Sequence, residues 1–296
     1  MWKYKRFTIV VLLSVLSNCA FGQQSRSPVD SAINWPSPEV EQVYVHGQNY
    51  LKLGNFKDAT DAFRHAMNLA PTVWQVQKAL GTAQYSAGEY KNAAKILDNL
   101  VQKYSTDASC HDLLAACYAA QQHYKKGRNA LNNGLTKFPN SGLLYNRMGC
   151  LYISENKLGK AAAAFLKGII VNPEYYPNYR DASSVYLNSQ NPLWGMILGE
   201  MYLNLATDTS GFKHIKQNLY NGYKTLYSSL TDAQLTKRKK HNHYSPEQHF
   251  EAQVTSIFEQ LYPVISDGIS TENLTMLRTR LLMEIMEHNY SAQADR

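Results

Sequence analysis

From Val40 to about Asp208, apolar residues recur at the three-and-four spacing of amphipathic helices, and the helical bursts come in pairs separated by short polar turns. The stretch "LKLGNFKDATDAFRHAMNLAP", Leu51 to Pro71, is a polar turn followed by one helical stripe that stops at a proline. The same outline returns thirty-four residues later in "YSAGEYKNAAKILDNLVQKYS". Set on that period, the eighth place of each unit is Gly47, Gly81, Ala115, Gly149 and Ser183, always small. The twentieth is Ala59, Ala93, Gly127, Ala161 and Gly195. A larger residue follows the turn at Phe56, Tyr90, Tyr124 and Leu158, and another lies inside the second helix at Phe63, Leu97, Leu131 and Phe165. Prolines close three units at Pro71, Pro139 and Pro173.

Small residues at two fixed places let the paired helices approach closely, and a large residue forced into such a contact typically costs about 1–3 kcal/mol. A single pair cannot cover its own apolar face, so the units must stack. The spacing and its residues resemble the tetratricopeptide repeat, a helix–turn–helix unit of 34 residues. The first unit fits most fully, with Gly47, Tyr50, Ala59, Phe63, Ala66 and Pro71 in place, while Val43 and His46 stand where the family often has Trp and Leu. The resemblance implies an all-α chain, an α-solenoid of about five units (40–73, 74–107, 108–141, 142–175 and 176–209). A helical C-terminal capping region is expected over 210–296.

The fifth unit departs from the plan. Its second helix, "NPLWGMILGEMYLNLA", is apolar on most sides and must be covered by other elements. Asn191 is its expected cap and Pro192 its first-turn residue. Burial as core is the simpler expectation; a ligand pocket near Trp194 is the other. Beyond Thr209 the period is lost. One helix is expected through Phe212, Ile215, Leu219, Tyr223, Leu226 and Leu230, a second from Ser245-Pro246-Glu247 through Val254, Ile257 and Leu261, and a third from Thr271 through Leu274, Leu277, Leu281 and Ile285.

Residues 1–22 read as an export signal, with Lys3, Lys5 and Arg6 ahead of an apolar run and Ala20-Phe21-Gly22 at a cleavage site. Leu16-Ser17-Asn18-Cys19 also resembles a bacterial lipoprotein signal that would lipidate Cys19. An exported protein, periplasmic or associated with the outer membrane, is therefore expected. A polar linker follows over 23–39, with Ser37 capping and Pro38 opening the first helix. Loss of the signal lowers the net charge from +7 to +4, too mild to demand nucleic acid. Cys110, Cys117 and Cys150 are an odd set spread over helices, better suited to packing than to a disulfide framework.

The basic run Lys237–Lys240 with His241, His243 and His249 reads first as a solvated loop; an acidic partner or anionic lipid is the alternative. No Cys or acidic pair completes a zinc set, so no metal and no cofactor are expected. No phosphate loop, nucleophile elbow or metal-binding helix motif is present, which points away from an enzyme. The repeat resemblance implies a protein or peptide partner bound in the groove lined by the first helix of each unit. Its expected residues are Tyr44, Gln48, Lys78, Thr82, Tyr85, Asp112, Asn146 and Arg180. Family members that clamp a C-terminal carboxylate need basic residues at places held here by Tyr44, Gln48, Ser109 and Leu113, so that subtype is not expected. A lipid-anchored accessory factor of an envelope or secretion assembly, and a carbohydrate or small-ligand sensor, are the competing roles.

Overall fold

The computed structural model describes residues 33–104, 106–189, 192–231 and 270–287, with Val254, Ser256, Ile257, Gln260 and Leu261. Every regular element among them is a helix: α1 (Pro38–Lys52), α2 (Phe56–Leu69), α3 (Trp74–Ser86), α4 (Tyr90–Lys103), α5 (Ala108–Ala120), α6 (Tyr124–Lys137), α7 (Gly142–Ser154), α8 (Leu158–Val171), α9 (Pro177–Leu187), α10 (Pro192–Leu205), α11 (Phe212–Thr231) and α12 (Thr271–Glu287). The fold is an all-α solenoid of helical pairs. The chain divides into two compact units, one within residues 22–175 and the other from Tyr176 onward. The signal segment, Cys19, Asn191, Lys237–Lys240 with its histidines, and the Ser245 helix start lie outside the described residues.

In the first unit each helix packs on the next, and consecutive first helices also touch: α1 with α3, α3 with α5, and α5 with α7. The small places are close contacts. A Cβ on Gly47 would lie 2.7 Å from the Phe63 ring, and one on Gly81 2.9 Å from Leu97. Ala59, Ala93, Ala161, Phe63, Leu97, Leu131 and Phe165 are all fully buried. Of the large residues after the turns, Phe56 and Leu158 are exposed, whereas Tyr90 is half-buried and Tyr124 packs against the core. The Tyr90 ring meets Tyr85 of the preceding helix at a ring separation of 5.4 Å.

The turns repeat in backbone detail. Gly54, Gly88, Gln122 and Asn156 all adopt positive φ, between 56° and 80°. After each, an amide reaches back five residues, as Asn55 N to Tyr50 O at 2.9 Å and His123 N to Tyr118 O at 2.8 Å. This is the Schellman closure, which satisfies carbonyls left over at a helix end. The opening caps differ between repeats: Ser37, Asp107 and Ser141 accept from Val40 N, Cys110 N and Leu144 N.

In the second unit α10 packs against both α9 and α11. Leu193, Met196, Leu198, Met201 and Tyr202 are buried on several sides of α10, so its apolar surface is covered. Ser183 Oγ donates to Gly195 O at 2.6 Å, joining α9 to α10 where both sequence columns hold small residues. Val254, Ile257, Leu261 and Leu277 are also buried.

Candidate functional site

The first helices of residues 38–154 share one layer, and the expected groove residues fall on them: Tyr44 and Gln48 on α1, Lys78, Thr82 and Tyr85 on α3, Asp112 on α5 and Asn146 on α7. Each is half-buried. Arg180 lies on α9 in the second unit, where it forms a two-pronged pair with its neighbour Asp181 at 2.7 and 3.1 Å.

Within the first unit most of these side chains are already engaged. Gln48 Nε2 donates to Tyr44 Oη at 3.0 Å, and the Tyr44 ring packs between Trp35 and Phe63 at centroid separations of 4.8 and 5.5 Å. Thr82 Oγ1 donates to the Lys78 carbonyl at 2.9 Å. Lys78 Nζ lies 5.9 Å from the Trp74 ring and donates to Asp107 Oδ2 at 2.7 Å, bridging α3 to the cap of α5. Asp112 accepts two bonds from Arg147, at 2.7 and 3.1 Å, bridging α5 to α7.

The electrostatics follow from these pairs. Burial alone would raise the Asp107 carboxyl, but hydrogen bonds from Lys78 and Ser109 outweigh it and hold the group below its ordinary value. Burial works against charge on Arg147, yet its two bonds to Asp112 raise its pKa further above the ordinary range. Burial pushes the Cys110 and Cys117 thiols up to about 12, which keeps them protonated. The first-helix face therefore presents half-buried aromatic rings and amides among neutralised ion pairs. That arrangement can offer shape and hydrogen bonds, and the Ser109 hydroxyl donates to Asp107 Oδ1 at 2.7 Å, a carboxylate already held by Lys78. Among the described residues no group of three His, Cys, Asp or Glu side chains could hold a metal, and no helix is long and apolar enough to cross a membrane.

Arg147, Trp74 and Asp107 belong to this face and are absent from the sequence expectation. Arg147 sits one place past the groove column, thirty-five residues after Asp112, so a search at the strict period passes it by. A charge of opposite sign at one period plus one was the signal that could have found it.

The tetratricopeptide-repeat family profile matches residues 43–73 and 143–175. The profile described as anaphase-promoting complex, cyclosome, subunit 3 matches 77–134, between those two stretches. A human relative, protein O-mannosyl-transferase TMTC1, is 22% identical over 177 residues, covering 58% of this chain and 20% of its own length. The chain thus spans about a fifth of that relative. Among solved structures, TTC0263, described as a thermophilic TPR protein in Thermus thermophilus, is 16% identical with a TM-score of 0.52, over 61% of this chain and 98% of that one. A chain from the functional characterisation of Pseudomonas aeruginosa pilF is 15% identical with a TM-score of 0.49, over 72% of this chain and 97% of that one.

Proposed function

Because the chain is a tetratricopeptide-repeat protein, we propose that it acts as a non-enzymatic scaffold holding a peptide segment of a protein partner on the first-helix face of α1, α3, α5 and α7. Proteins of this repeat type generally bind protein or peptide partners. The observation that carries the finer reading is the pairing of Lys78 with Asp107 and of Asp112 with Arg147. Those pairs leave the face rigid and close to neutral, with the Tyr44 and Tyr85 rings and the Gln48 and Asn146 amides as its contact groups. Such a surface suits a polar, backbone-reading interaction, since aromatic side chains give large contact area at small entropic cost. A carboxylate clamp would need free cations there.

An exported, envelope setting is proposed on the strength of residues 1–22, and there the partner is an envelope protein. A lipid-anchored accessory role turns on Cys19, and unchanged membrane fractionation of Cys19→Ser would remove it. The main test is selection of a phage-displayed peptide library on the mature chain beside Tyr44→Ala/Tyr85→Ala. Lys78 and Asp112 are left intact because their pairs bridge repeats. Since Tyr44 and Tyr85 also pack against the core, the double variant is compared only with its helical circular dichroism and unfolding midpoint matched to the native chain. Peptides retained by the native face and weakened roughly tenfold or more on the double variant support the scaffold, as loss of two aromatic anchors should. A library that enriches equally on both proteins sinks the assignment to this face.

A further inference from the structure

Three of the second helices carry a charge pattern that the first helices lack. The first helices α1, α3, α5 and α7 hold three acids (Glu39, Glu41 and Asp112) and three bases (Lys52, Lys78 and Arg147). By contrast, α4, α6 and α8 together hold nine Lys and Arg and a single acid, Asp98. Part of that charge lines a trough between α4 and α6. Lys91, Lys95 and Asn99 rise on one wall and Lys126, Asn133 and Lys137 on the other. Two joined hollows of about 420 and 500 Å³ form it, sharing Asp98, Gln102, Tyr118 and Lys126. Lys91, Lys95 and Lys126 form no ion pair among the described residues.

The floor is supplied by α5 and contains an unsatisfied group. His111 is 1% exposed, yet neither ring nitrogen forms a hydrogen bond of ordinary geometry. Burial, then Lys137, lower its pKa, with the Ala130 carbonyl pulling the other way. A neutral imidazole still offers one N–H and one acceptor. Buried polar groups are nearly always paired, and each exception calls for a reason. Gly134 of α6 packs directly against this residue, where an added Cβ would stand 2.8 Å from the His111 Cβ.

We propose that the trough between α4 and α6 is a second binding site, on the opposite helices from the peptide face, for an acidic polypeptide segment of a partner protein. Lys91, Lys95 and Lys126 would take its carboxylates and the Asn99 and Asn133 amides its backbone. Lys137, held by the Val101 carbonyl at 2.9 Å, and Gln102, held by Asp98 at 2.9 Å, stay with the walls, and His111 stays buried beneath the floor. The α4 wall runs from Lys91 to Gln102, about 16 Å at helical rise, which is the length of about five extended residues. An anionic membrane fits less well. Among the described residues, α4 and α6 expose no large hydrophobic side chain to enter a bilayer, and a recessed trough cannot meet a flat surface along its length.

The test is fluorescence anisotropy of a labelled hexaglutamate peptide with the full mature chain, at about 0.05 and 0.15 M salt. Binding should weaken roughly tenfold in Lys95→Glu/Lys126→Glu, where two exposed attractions become repulsions. Lys57→Glu/Arg64→Glu makes the same charge change on α2 and should cost less than about threefold. Tyr44→Ala/Tyr85→Ala should bind hexaglutamate normally, which separates this site from the peptide face. Equal losses in the two charge-reversed proteins would overturn the trough, because net charge alone would then explain binding. Absence of hexaglutamate binding, with phosphatidylcholine–phosphatidylglycerol vesicles bound instead through Lys95 and Lys126, would overturn it in favour of lipid.

Discussion

At the scale of single residues, the structure separates positions that look alike in sequence. Gly81 and Gly159 both lie in helices, but a Cβ would strike Leu97 at Gly81 and meet nothing within 4 Å at Gly159. Helix propensity favours Ala over Gly by up to about 1 kcal/mol. Gly159→Ala should therefore stabilise slightly, while Gly81→Ala should cost about 1 kcal/mol or more, as read by thermal or urea unfolding. At the turns, Gly54 and Gly88 take positive φ without strain, whereas Gln122 holds φ 59° with a full side chain. Gln122→Gly should raise stability by about 1 kcal/mol. The thiols give a third check: Cys150, half-buried, should react with a maleimide before the buried Cys110 and Cys117. The small columns were legible because they recur at one period. The turn angle at Gln122 was not, since glutamine carries no mark of a left-handed backbone. The burial of His111 was equally hidden, because it depends on Gly134, near the far end of the following helix.

At the scale of elements, helix existence and extent followed from apolar spacing, and the Ser37 and Pro38 start of α1 is where capping chemistry puts it. What holds elements to each other was less visible, since ion pairs join residues about a repeat apart. Asp107 caps α5 and pairs with Lys78, so Asp107→Ala should cost about 1–2 kcal/mol and Asp107→Asn less. The lowered pKa of Asp107 gives the pH sign. Its contribution is complete above the ordinary value of 3.8 and is lost as pH falls through its lower folded value. In the second unit, Glu200 of α10 accepts from Tyr223 of α11 at 3.2 Å and from Arg278 Nε of α12 at 2.7 Å. Burial raises the Glu200 carboxyl, while Arg278 and Tyr223 pull it back. Arg278→Met strands that carboxylate and should cost about 2 kcal/mol near neutrality. The sign opposes that of Asp107: a raised folded value makes the loss grow as pH rises past 4.5 and shrink below it. A urea titration of the variant at two pH values reads both effects.

At the scale of the whole molecule, the repeat period makes the all-α solenoid legible in the sequence, because stacking units must keep their spacing. The strength of the apolar pattern in α10 likewise announced that other helices cover it. Charge was the opposite case. A modest net value conceals first helices that balance beside α4, α6 and α8, which carry nine bases to one acid, and only the assignment of each segment to a layer reveals it. The groove column at Tyr44, Lys78, Asp112 and Asn146 is an expectation drawn from the period, whereas the ion pairs of Lys78 and Asp112 required Asp107 and Arg147 in space. The central claim is that a peptide partner rests on the first helices. Hydrogen–deuterium exchange of the chain with and without a library-selected peptide tests it most directly. The claim requires new protection in 38–52, 74–86, 108–120 and 142–154, with the second helices unchanged. Protection confined to 90–103 and 124–137, or to α11, would contradict it.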